Sequence, residues 1–247
     1  NYYFGFILLT LSFIYYILKS KKFFLVFLIF FIFVSFIIGE RSNFIKVFII
    51  TFLFFLIIDK NILWKKLLLF FITLALIFLK INKNENLKER FYNQTLLNLV
   101  EHNYDIKEFF RFTTYGAHYD TAIQIFKNHT YFGVGLKNYR IESGEVKYEN
   151  PNFIFNQERK TTHPHQVHFE FLAEMGLFGY LSFLIFFIIF FTRSIKIQIR
   201  DKNIYHLSGL LFIFISFTPL IPSGSFFTTY GAAIFWLNFA IVEAFND

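Results

Sequence analysis

Long apolar runs alternate with short polar breaks along this chain. Runs of spanning or near-spanning length occupy about 3–18, 23–39, 44–58, 67–80, 171–192, 204–221 and 226–245. A segment inside a bilayer must satisfy its own backbone hydrogen bonds, so the pattern predicts seven transmembrane helices. The third and fourth runs are short and need flanking residues to cross. Charge in the breaks predicts orientation. Lys19, Lys21 and Lys22 follow the first run, Lys60, Lys65 and Lys66 the third, and Arg193, Lys196, Arg200 and Lys202 the fifth. Short basic loops stay in the cytoplasm. The opposite face then carries the Glu40-Arg41-Ser42-Asn43 turn, the segment 81–170 and the Pro222-Ser223-Gly224-Ser225 turn. The expected fold class is all-α and polytopic: helices in 1–80, a large, partly helical loop domain in 81–170, and further helices in 171–247.

The loop segment has an organisation of its own. Its start, Asn82-Lys83-Asn84-Glu85-Asn86, is charged and polar. Thr113 or Thr114 is then placed to cap a helix in which Ala122, Ile123 and Phe126 recur at helical spacing. That helix is predicted to stop at Asn128-His129, before the turn Gly133-Val134-Gly135. Residues 141–161 show no period and read as loop. No phosphate-binding loop is present, and Gly133-Val134-Gly135 lacks the third glycine and preceding strand of a dinucleotide fingerprint.

Composition sharpens the class. Of 247 residues, 55% are hydrophobic and 17% charged, with 42 Phe, which is not the balance of an ordinary soluble domain. The formal charge of +7 lies mainly between apolar runs, so it marks topology rather than a nucleic-acid footprint. Zero Cys excludes disulfides, thiolate metal sites and a cysteine nucleophile. The chain opens at Asn1-Tyr2-Tyr3, without an initiator Met or a signal-peptide pattern. The expectation is the C-terminal part of a longer bundle, with helices upstream.

Chemistry concentrates where the loop meets the fifth run. His163, His165 and His168 stand just before it, and His165 and His168 would share a face if the helix started early. That stripe continues to Leu172, Gly176 and Gly179, and small residues there suggest close helix packing. Three readings stay open: histidines that merely tolerate the interface, a general base, or a metal site of three nitrogens. The absence of Cys and of a clear fourth ligand weighs against metal. Arg41 on the outer face either snorkels or offers phosphate a bidentate fork. Arg140 and, more weakly, Arg111 are either exposed loop charges or further anion ligands. Glu170 and Glu174 suit a helix N-terminus without any chemistry.

Taken in order, these pieces resemble the O-antigen ligase and O-antigen polymerase superfamily of polytopic bacterial membrane proteins. Its motif is His, then Asn, Ser or Gln, nine residues, Gly, two residues, then Gly, Thr or Tyr. Here His165-Gln166 is followed at that spacing by Gly176 and Gly179, after Thr162-His163-Pro164. Ala122–Phe126 leading to Phe132-Gly133-Val134-Gly135-Leu136-Lys137-Asn138-Tyr139-Arg140 resembles the family's amphipathic helix and glycine turn, and Gly39-Glu40-Arg41-Ser42 its outer arginine motif. The likeness covers roughly 35–190. Two departures stand out: the family usually has more helices, and often a Trp where this chain has His118-Tyr119.

The resemblance implies an inverting glycosyltransferase in the bacterial inner membrane, active at the periplasmic face without metal or cofactor. The donor would be a glycan on undecaprenyl diphosphate, and the acceptor lipid A-core or a second lipid-linked repeat. By the same resemblance, His165, Arg41 and Arg140 would be catalytic, with His165 as base and the arginines on the diphosphate. Arg111, His163, Gln166 and His168 would serve substrate binding, and Gly133, Gly135, Gly176 and Gly179 would shape the motif. Ligase and polymerase are not separable on these residues. A transporter without covalent chemistry and a metal-dependent hydrolase are the competing classes.

Overall fold

The computed structural model describes residues 21–58 and 63–245. The predicted span 3–18 lies outside the described residues. The main helices are α1 (Lys21–Ile37), α2 (Arg41–Ile58), α3 (Leu63–Asn82), α4 (Ile106–Arg111), α5 (Thr114–Asn128), α6 (Val167–Asp201), α7 (Ile204–Ser216) and α8 (Thr229–Glu243). Among the described residues there is no strand, so the fold is all-α. Helix α6 is by itself long and apolar enough to cross a membrane. Leu67–Asn82 and Glu85–Glu101 pass that criterion only as a pair, bent by 111° at the break between them. Polar Asn82, Lys83, Asn84 and Glu85 sit in that break, and Asn84 caps the next turn by accepting from Leu87 N–H. Helix α7 is a shorter apolar helix.

The chain divides into two compact units. One comprises 1–98, 196–215 and 234–247. Its α1 and α2 form a hairpin around Gly39, whose φ of 75° suits glycine. Glu40 starts α2: its carbonyl accepts from Phe44 N–H, and its carboxylate accepts from Ser42 Oγ and Asn43 N–H. Ile32, Phe36, Val47, Ile50 and Phe54 are fully buried between these helices. Phe36 and Phe44 pack on Phe91, and Phe48 and Phe52 on Phe70. Gly209 lets α7 lie close to α8: a Cβ there would stand 2.9 Å from the Asn238 carbonyl oxygen.

The second unit, 99–195 with 216–233, holds the histidine loop. Asp105 caps α4 by accepting from Lys107 and Glu108 N–H. Thr113 caps α5 by accepting from Gly116 N–H at 3.1 Å, and α5 ends at Asn128, both as the sequence predicts. Its buried face is His118, Thr121, Ala122 and Ile125, whereas Ile123 is 36% exposed. The apolar stripe thus runs one position away from the one the spacing suggests. Ala122 and Ile125 join Tyr139, Tyr148 and Ala173 in a small core, with Val134 and Phe169 against it. Residues 141–161, expected to be loop, contain the short turns Val146–Tyr148 and Asn156–Arg159. Arg159 is wholly buried among them and donates to the carbonyls of Asn156 and Glu145 and to the Glu149 carboxylate.

Candidate functional site

Helix α6 begins only at Val167, so His165 lies outside it. The shared face with His168 does not form. Gln166 explains the start: its Oε1 accepts from His168 N–H at 2.8 Å and Phe169 N–H at 3.1 Å, capping the helix. His165 adopts φ 57°, a left-handed conformation uncommon for a side-chain-bearing residue. Its carbonyl accepts from Ser223 N–H at 2.6 Å. Among the described residues, other rings rather than hydrogen bonds hold this ring. His118 stacks on it at 5.0 Å between centroids, His163 lies at 4.1 Å, and Tyr115 meets it edge-on at 5.9 Å.

These neighbours set the electrostatics. Burial, then the adjacent imidazoles of His163 and His118, push the His165 pKa down to about 3. Burial, then His118, pushes His163 down to about 4, against a Ser223 backbone contact that raises it. His118 is lowered by burial as well, opposed by its hydrogen bond to the Glu158 carbonyl. Above those two values the His163 and His165 rings are neutral, the form a general base requires. Among the described residues no group of three or more His, Cys, Asp or Glu side chains is arranged to hold a metal ion.

The other predicted residues divide by what they touch. His168 donates from Nε2 to the Phe217 carbonyl at 2.7 Å and its Nδ1 meets Tyr180 Oη at 3.0 Å, so both nitrogens tie the helix start to its surroundings. His163 Nδ1 bonds Thr162 Oγ1 at 2.9 Å. Arg111 pairs with Glu108 on its own helix. Arg140 is exposed and, among the described residues, donates only its Nε, to the Lys137 carbonyl at 3.1 Å, leaving the outer end of the fork open. It follows Tyr139, whose hydroxyl donates to the His118 carbonyl at 3.1 Å, so the arginine turn is anchored on the helix that carries the stacked histidine.

The glycines do something the spacing does not suggest. Gly176 breaks α6 with φ 66° and ψ −168°, conformations essentially reserved for glycine. The break frees backbone groups that the segment 130–135 takes up. Val134 N–H donates to Ala173 O and Gly135 N–H to Glu174 O, at 3.0 and 2.9 Å. Leu177 N–H donates to Thr130 O and Phe178 N–H to Tyr131 O, at 2.7 and 3.2 Å. Glu174 completes the clasp by accepting from the backbone N–H of Lys137 and Tyr139. Backbone meets backbone here: a Cβ on Gly133 would stand 2.4 Å from the Glu174 carbonyl carbon. Gly135, at φ 90°, lies in the same turn, while Gly179 faces Met175 of its own helix. Glu170, beside the clasp, accepts from Ser225 Oγ and from Phe226 N–H, fastening α6 to the 222–226 turn.

Arg41 sits in the other unit. Its Nη1 reaches the carbonyls of Arg90 and Gln94 at 3.1 and 3.3 Å and Thr95 Oγ1 at 2.8 Å. Those acceptors belong to a π-helix, Glu89–Leu97, a rare geometry that recurs at functional sites. The Glu89 carboxylate binds the Asn93 and Gln94 amides across it, and Arg90 donates to the Gly39 carbonyl at 3.2 Å. Arg41 Nε and Nη2 have no partner among the described residues, which leaves one edge of the guanidinium for a ligand. The π-helix, His118 and the backbone clasp were not foreseen from sequence. His118 was visible only as a departure from the family's Trp.

A family model described as O-antigen ligase matches residues 6–184. No curated protein and no solved structure matches the chain.

Proposed function

The chain belongs to the O-antigen ligase family, a bacterial membrane family of ligase- and polymerase-type glycan transferases, and from that premise we propose a specific reaction. The protein transfers a glycan from undecaprenyl diphosphate to a hydroxyl of lipid A-core at the periplasmic face of the inner membrane. The supporting observation is His165: a neutral imidazole inside the matched region, gripped by rings, with no hydrogen bond on either ring nitrogen among the described residues. His165 accepts the proton of the attacking hydroxyl. The hydroxyl oxygen bonds the anomeric carbon from the face opposite the diphosphate, and the anomeric C–O bond breaks with its electron pair on the diphosphate. Inversion follows from that geometry. The exposed end of Arg140 stabilises charge growing on the leaving group. His163, Gln166 and His168 hold the loop that presents His165. Seven spans, with residues 81–170 outside the cytoplasm, are the topology this reading requires. The exposed apolar faces of α3 and α6, including Phe71, Phe78, Ile185, Ile188 and Ile189, suit a lipid surround.

The test is reconstitution in vesicles with a synthetic lipid-linked glycan, lipid A-core and a chelator. Glycan should appear on the core, with undecaprenyl diphosphate released. Lengthening of the lipid-linked glycan instead would identify a polymerase. Glycan crossing the bilayer with no transfer would replace the enzyme by a transporter.

Arg41 is proposed as a separate guanidinium for an anionic oxygen of the donor. Its free Nε–Nη2 edge matches two phosphate oxygens, while Nη1 stays on the π-helix. Lysine can keep the charge but not both functions. Arg41→Lys should therefore cost about 10- to 100-fold in transfer, the worth of a charge-assisted hydrogen bond of ~1.5–3 kcal/mol. Full activity in the purified, correctly inserted variant would remove Arg41 from the mechanism.

A further inference from the structure

His118 is 4% exposed, and its Nε2 lies 2.9 Å from the Glu158 carbonyl. A carbonyl only accepts, so Nε2 carries the hydrogen and Nδ1 of the neutral ring is a bare acceptor. That Nδ1 is buried and bonded to nothing among the described residues. Buried polar atoms without partners are rare, and each calls for an explanation. Others in the same unit are Tyr119 Oη, Arg159 Nε, His163 Nε2, Thr218 Oγ1 and Ser223 Oγ. His118, His163, Thr218 and Ser223 adjoin one stretch of chain, 165–166. The His118 ring stacks on His165, Ser223 N–H donates to the His165 carbonyl, and the Thr218 carbonyl faces Gln166 Nε2 at 3.5 Å.

The chemistry of this set selects a ligand class. An imidazole lone pair repels an anion, and the one cation of the set, Arg159, is already paired with the Glu149 carboxylate. A bare acceptor nitrogen, with unsatisfied hydroxyls of Thr218 and Ser223 on the residues that adjoin His165-Gln166, is complementary to a neutral, hydroxyl-rich molecule that can donate to the nitrogen and exchange bonds with hydroxyls. Sugars have that character.

We propose that His118 Nδ1 accepts a hydrogen bond from a hydroxyl of the acceptor sugar, seating that sugar beside His165. His118 is then a specificity-determining residue for the acceptor, distinct from the base and from the arginines. The inference rests on the transferase reading above and adds the residue that chooses the acceptor.

Two substitutions and one spectrum test it. His118→Gln can keep a donor near the Nε2 position for Glu158 but offers no acceptor at Nδ1. In the vesicle assay it should raise the KM for lipid A-core about tenfold, the value of one hydrogen bond in a dry site. The KM for the lipid-linked donor should stay within about twofold of the parent, and melting should be unchanged. His118→Asn, with an amide close to Nδ1, should recover part of the loss. If both variants misfold, the parent protein labelled with ¹⁵N-histidine gives the answer. The His118 Nδ1 resonance should move upfield when deacylated core oligosaccharide, or an undecaprenyl-linked single repeat, is added. An unchanged acceptor KM in His118→Gln, equal losses for donor and acceptor, or a resonance that neither sugar moves would overturn the proposal. A parent protein that transfers no glycan would instead overturn the transferase reading, so the two failures are separable.

Discussion

Replacing His165 by Ala is expected to lower glycan transfer by between about a hundred- and ten-thousandfold, the usual range for a general base. His165→Asn should do the same, and it is the cleaner variant, because Asn tolerates the left-handed backbone that His165 adopts at φ 57°. Undiminished transfer by either inserted variant would end the base assignment. The pH profile carries a second expectation. An exposed histidine, titrating near 6.5, would cost tenfold per pH unit below that value. His165 is held near 3 by burial and by His163 and His118, so its neutral form persists through the whole physiological range. A diphosphate esterified at both ends has no second ionisation near neutrality to obscure the profile. The acid limb of kcat/KM should therefore fall well below pH 6.5. A low pKa also makes a weak base, and an anionic donor beside the ring would raise it toward a useful value. The limb in kcat, measured with donor bound, should accordingly lie at higher pH than the limb in kcat/KM. Stability follows the opposite logic. In the unfolded chain these histidines take protons as pH drops through about 6.5, whereas in the fold they resist until about 3 to 4. The unit should lose stability steadily on acidification across that window, and retain it above.

What the sequence makes legible here is local, and what it hides is the meeting of distant segments. Thr113 and Asn128 bound α5 because capping and helix exit depend on a few neighbouring residues. The all-α class follows from apolar runs that cannot leave their backbone unpaired. The His165 motif lies on a sharply bent stretch because Gln166, its neighbour, caps the helix after it. By contrast, nothing near His118 announces that its ring will lie on a histidine 47 positions later. It reads as one more polar residue on an amphipathic helix. The Arg41 site is hidden for the same reason, since its partners lie 49 to 54 residues away in a π-helix that has no recognisable periodicity.

Gly176→Ala should be among the most damaging single-atom changes in the second unit. The spacing of Gly176 and Gly179 suggests a smooth face for a neighbouring helix, and there alanine would be mild. At the actual break two costs add. A left-handed φ with ψ near −168° is poorly accessible to alanine. The new Cβ would also stand 2.5 Å from Gly133 N, Phe132 N and Tyr131 C, all backbone atoms with nowhere to turn. Relieving the clash means parting the two segments, and with them the four backbone hydrogen bonds that join 130–135 to 173–178. The Glu174 carboxylate would lose the N–H groups of Lys137 and Tyr139 in the same movement, and Tyr139 holds the His118 carbonyl. A loss of about 4 kcal/mol or more is expected, in the range that broken backbone networks and special conformations produce. Other glycines provide the scale. Gly135→Ala meets only the Asn138 side chain at 3.0 Å and should cost less despite its φ of 90°. Gly144→Ala, with a Cβ 3.3 Å from the Ile141 carbonyl oxygen and an ordinary φ, should be close to neutral. Melting of the purified variants in detergent, with limited proteolysis across 128–140, would rank them. Equal melting for Gly176→Ala and Gly144→Ala would mean that the clasp is not what holds the histidine loop in place.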